Sequence, residues 1–84
     1  MKDPKYQLGE FVRIKDDPNA RAYIRRLKAD TVMGETKHIP VKEMMQTTFK
    51  IINMDCLDEV TYIMKAQVKA FVVEIPEEFV EFCY

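Results

Sequence analysis

The chain has no serine and no tryptophan, one histidine, two glycines and two cysteines. Each scarcity removes a chemistry. Without serine there is no serine-based catalytic triad. Gly9 and Gly34 stand far apart, so no glycine-rich loop is present to cradle a phosphate. Cys56 and Cys83 form no CxxC motif, and the lone His38 gives them no metal-site spacing. Nothing in the spacing supports a nucleophilic pair between His38 and either cysteine. The acidic residues Asp55, Asp58 and Glu59 lack the pattern of a calcium loop and read as a solvated turn. No enzymatic activity, metal or cofactor is expected. No apolar run approaches the roughly 20 residues of a membrane span. The opening MKDPKYQLGE has no apolar segment of a secretory signal. A cytoplasmic location with two reduced thiols is the expectation.

What is present is globular in composition. Of 84 residues, 48% are hydrophobic and 32% charged, enough apolar content for one small domain with a thin core. Net charge is −1, but its distribution is uneven. Residues 1–50 carry 11 Lys/Arg against 7 Asp/Glu, a balance of +4. Residues 51–84 carry 2 against 7, a balance of −5. Such polarity steers partners, stacks copies head to tail, or pairs the two halves internally.

The most regular stretch is 47–75. Phe49 and Ile51 alternate with Thr48, Lys50 and Ile52; Val60, Tyr62 and Met64 alternate with Thr61, Ile63 and Lys65; Phe71, Val73 and Ile75 alternate with Val72 and Glu74. Period-two alternation in β-branched and aromatic residues predicts three strands, and the short polar links favour antiparallel hairpins. Ile52, Ile63 and Val72 fall on the outward face, where they are either covered by another part of the chain or mark an apolar partner surface.

A further strand is expected over 10–15, with Val12 and Ile14 inward, and a last one over 80–84, with Val80, Phe82 and Tyr84 on one face. These two are expected to pair. Asp17 followed by Pro18 predicts a helix start, and the helix is expected to run over 18–29 with Tyr23, Ile24 and Leu27 as its apolar stripe. Arg21, Arg25 and Lys28, at i, i+4 and i+7, form a basic face with Arg26 nearby. That face is either a solvated surface or a contact for anions or nucleic acid. The segment 31–39 has no readable pattern beyond a turn at Gly34. Residues 40–45 read as one helical turn with Val41, Met44 and Met45 inward, and Pro76-Glu77-Glu78 predicts a short helical or 3-10 turn.

The order of these elements resembles the SH3-like small β-barrels of bacteria and phages. Leu8-Gly9-Glu10-Phe11-Val12-Arg13-Ile14 resembles their opening strand, Met44 and Thr47-Thr48-Phe49-Lys50-Ile51 the entry to the second, Tyr62-Ile63 the third, and Ile75-Pro76-Glu77-Glu78-Phe79-Val80-Glu81 the closing turn and strand. Thr47-Thr48 stands where those proteins often carry Gly-Lys. The resemblance implies a mainly β, five-stranded barrel over 1–84, with segment 16–43 as a helical insertion in the first long loop. It further implies a small non-enzymatic, phage-like interaction module that binds a protein partner. Recognition of proline-rich peptides is not implied, because that surface needs a tryptophan the chain lacks. The candidate binding residues are Arg21, Tyr23, Arg25, Arg26 and Lys28, with Ile52, Ile63 and Val72 as a second, apolar surface. The alternatives are nucleic-acid binding through the basic helix, or self-association as a homodimer or in a structural role.

Overall fold

Strand β1 (Phe11–Ile14) buries Val12 and Ile14 and turns Phe11 and Arg13 outward, as its alternation demands. The computed structural model describes residues 2–31 and 34–83. β1 is held from both sides. The last strand pairs with it in antiparallel register, Arg13 opposite Glu81 and Ile14 opposite Val80. On its other side Phe11 lies opposite Lys50 and Val12 opposite Phe49. The expected pairing of the first and last strands is therefore present.

The remaining elements follow in chain order: helix α1 (Pro18–Arg25), β2 (Ala29–Thr31), β3 (Thr36–Lys37), helix α2 (Val41–Met45), β4 (Phe49–Asp55), β5 (Thr61–Ala66), β6 (Phe71–Pro76), a 3-10 turn (Glu77–Phe79) and β7 (Val80–Phe82). All strand pairs are antiparallel, in the order β3-β2-β6-β5-β4-β1-β7. Among the described residues the result is one open sheet of seven strands with two helices, mainly β as expected, but with two strands more than the five anticipated. The extents of 31 × 28 × 26 Å are nearly equal, so the sheet curls around its own apolar face.

Of the two additional strands, β3 comes from the unreadable segment and β2 from the expected end of the helix and the residues just after it. β2 and β3 form a hairpin, and β2 adds to the edge of β6 with Asp30 opposite Val72 and Thr31 opposite Phe71. Val32 and Met33 lie outside the described residues, as does Tyr84 of the last expected strand. The helix ends at Arg25, four residues earlier than expected, because Ala29 is taken up by the ladder to β3. Its buried pair is Ala20 and Ile24, at i and i+4; Tyr23 stays partly exposed and Leu27 lies beyond the helix. α2 buries Met44, with Val41 and Met45 packed at its margin.

The core combines both parts of the chain. Ala20, Ile24, Ala29 and Ile39 share one cluster with Phe49, Ile51, Met64, Phe71 and Val73 from the meander. Phe49 and Phe71 meet edge to face with ring centroids 5.9 Å apart. A β-bulge at Ile52 separates Ile51, opposite Met64, from Asn53, opposite Ile63.

The N-terminal arm is tied to one end of the sheet. Gly9, at φ +88°, makes the left-handed turn that leads from the arm into β1. The buried Tyr62 hydroxyl donates to Glu77 Oε2 at 2.5 Å and accepts the Tyr6 amide at 3.1 Å. The Lys5 amide donates to the same Glu77 oxygen at 2.8 Å. Tyr6 then packs edge-on against Phe82 and donates its hydroxyl to the Val80 carbonyl, which covers the outer edge of β7.

Two expectations follow. Phe49→Ala removes a fully buried ring and is expected to cost about 3–5 kcal/mol in denaturant unfolding; a variant with unchanged melting contradicts the core assignment. Burial and the Glu77 carboxylate push the Tyr62 hydroxyl well above the ordinary value of 10.0. The folded chain thus keeps a proton that the unfolded chain releases, so stability is full below pH 10 and falls as pH rises beyond it. Tyr62→Phe is expected to make that alkaline decline shallower and to cost about 1.5–3 kcal/mol near neutrality; an unchanged alkaline slope contradicts it.

Candidate binding groove beside helix α1

Helix α1 is placed by its start. Asp17, extended at φ −140°, accepts the amides of Asn19 at 2.7 Å and Ala20 at 3.3 Å, and Pro18 occupies the first helical position. With Ile24 fully buried, the 100° step back along the helix sets Tyr23 at the rim. There its ring lies 5.4 Å from that of Phe79, tilted by 43°, and its hydroxyl donates to the Glu74 carbonyl at 3.4 Å. Partial burial, with the Glu74 carboxylate nearby, raises the Tyr23 hydroxyl above its ordinary value.

Between the helix and the 3-10 turn this leaves a groove of about 510 Å³, lined by Asn19, Ala22, Tyr23, Arg26, Leu27 and Phe79. It offers two aromatic rings, an aliphatic floor, one guanidinium and one amide. That set supplies contact area and hydrogen-bond donors, the equipment of a binding site rather than of bond-making chemistry.

The sequence-predicted residues divide. Tyr23 and Arg26 line the groove. Arg21 does not; its Nε donates to Asp16 Oδ1 at 2.7 Å, which raises the arginine and lowers the aspartate. Arg25 is exposed at the last helical turn. Lys28 is exposed but lies past the helix end, so the i, i+4, i+7 basic face does not form. Asn19 and Ala22 were not singled out by sequence reasoning; Leu27 was read only as part of the helix's apolar stripe, and Phe79 only as part of the closing turn. Phe79 is 56 positions from Tyr23, and no local signal links them.

Of the outward apolar residues, Ile52 is exposed at the bulge, while Ile63 and Val72 are half-buried. Cross-strand register interrupts them with charge. Ile63 lies opposite Glu74, and the row from β1 to β2 reads Phe11, Lys50, Lys65, Val72, Asp30. His38 is exposed, and Cys56 and Cys83 are unpaired and half-buried. Among the described residues no cluster of His, Cys, Asp and Glu is arranged to hold a metal ion, and no helix is long and apolar enough to cross a membrane.

Comparison with known proteins gives no matching family model, no matching curated protein and no matching solved structure.

Proposed function

We propose that the chain is a small SH3-like interaction module that binds an acidic, apolar segment of a protein in the groove between α1 and the 3-10 turn. The observation that carries this reading is the Tyr23–Phe79 pair, two aromatic rings from distant parts of the chain that line a groove together with Arg26. Partly exposed aromatic residues beside an arginine are the side chains that dominate protein-binding energetics. The element order supports the SH3-like likeness. Five strands run β7-β1-β4-β5-β6, with the long connection after the first of them and the 3-10 turn before the last. In this reading β2 and β3 widen the sheet at β6, and the helix of the long connection supplies half of the groove.

A protein segment fits better than nucleic acid. Arg21 is already neutralised by Asp16, and Lys28 lies past the end of the helix, which leaves Arg26 as the one cation lining the groove among the described residues. Phosphate binding calls for a basic surplus that a chain of net charge −1 does not carry.

Selection from a random displayed peptide library tests the reading. Peptides with an apolar residue between acids are expected to emerge. Tyr23→Ala and Arg26→Glu are each expected to weaken them by about tenfold or more; the exposed Arg26→Glu leaves the melting curve in place, and Tyr23→Ala lowers it while the chain stays folded by circular dichroism. Peptides indifferent to both variants contradict the groove. Salt-sensitive binding of a single-stranded oligonucleotide, lost on Arg25→Ala and Arg26→Ala, would put nucleic acid in its place.

A further inference from the structure

We propose that the segment the groove receives is the β4–β5 turn of a second copy of this chain. This rests on the groove reading above and names its occupant. The turn carries Asp55, Cys56, Leu57, Asp58 and Glu59. Leu57 at its tip is 70% exposed, a large aliphatic side chain left in water. Its amide donates to Asp55 Oδ1 at 3.1 Å, so the tip is held in shape before any partner arrives. An apolar residue set between three carboxylates complements a groove of two aromatic rings and an aliphatic floor with Arg26 at its wall.

The charges agree on both sides. None of the ion pairs found among the described residues, Arg13–Glu81, Arg21–Asp16 and Lys69–Glu43, involves Arg25, Arg26 or Lys28, and none involves Asp55, Asp58 or Glu59. The basic and acidic surpluses of the two halves are therefore not spent on each other at these positions. Both patches border the 3-10 turn. Phe79 lines the groove, whereas Glu77 and Glu78 line a cleft with Glu59, Asp3 and Lys2, four carboxylates to one ammonium, and the Glu77 amide donates to the Val60 carbonyl at 2.9 Å. Two copies related by a two-fold axis can each insert a tip and receive one.

Sedimentation of the full chain over a wide concentration range tests this. Association that strengthens with concentration and weakens with salt is expected. Arg26→Glu and Asp58→Lys, each folded by circular dichroism, are each expected to weaken association about tenfold or more, because a like charge then faces a like charge. An equimolar mixture of the two variants is expected to associate as well as the unaltered chain, since every groove then meets a tip of opposite charge. Leu57→Ala, at an exposed position, is expected to weaken it in the same direction without the salt dependence changing. A chain that stays monomeric throughout, or single variants that associate undiminished, overturns the proposal. If the chain is monomeric while selected acidic peptides still bind the groove, only the identity of the occupant falls.

Discussion

The burial of Ile24 ties the molecule together. It sits in the α1 segment, between β1 and β4 in the chain, yet its side chain is inside the cluster formed by the meander. An eight-residue helix has little stability of its own, and an apolar face packed on a core is what holds it. Once Ile24 and Ala20 are seated, Tyr23 has a fixed position against Phe79, and the groove exists before any ligand arrives. The helix cap at Asp17 and the β2 ladder on β6 fix the two ends of the same segment. Anchor, cap and ladder act on one stretch, so the insertion behaves as part of the sheet's core rather than as a loop laid over it.

Edge protection is the second constraint. An open sheet presents unpaired backbone at its outer strands, and each is treated differently. β3 is only two residues long, which gives little template for another strand. At β7 the Tyr6 ring and hydroxyl cover the exposed side, positioned by the Tyr62–Glu77 hydrogen bonds. Tyr62 is itself fully buried, and its hydroxyl has both a donor and an acceptor partner. Among the described residues no buried side-chain polar atom lacks a partner, as a thin core requires, where one such atom would cost a large share of the stability.

Much of this was legible because it is local. Alternation in Phe49–Ile51, Tyr62–Met64 and Phe71–Ile75 specified strands and faces, and Asp17-Pro18 specified where α1 begins. Its end was not legible. Leu27 and Lys28 are good helix formers and no glycine or proline stops them, so only the tertiary pairing of Ala29 and Asp30 ends the helix. β2 and β3 are too short for any period to register. Ala20 was overlooked as a core residue because it is small, although it lies one turn before Ile24. At the groove, Tyr23 and Arg26 were marked by type, while Phe79 joins them only through folding across 56 positions.

The most direct test of the account is native-state amide hydrogen exchange on the intact chain, comparing α1 and β2 with β4 and β5. If Ile24 anchors the insertion in the common core, the amides of the last turn of α1 and those bonded between β2 and β6 will exchange as slowly as the ladder of β4 and β5, all through the same global opening. Fast exchange across 18–31, with β4 and β5 still protected, would mean that the insertion opens independently, and the groove would not be a preformed feature of the fold.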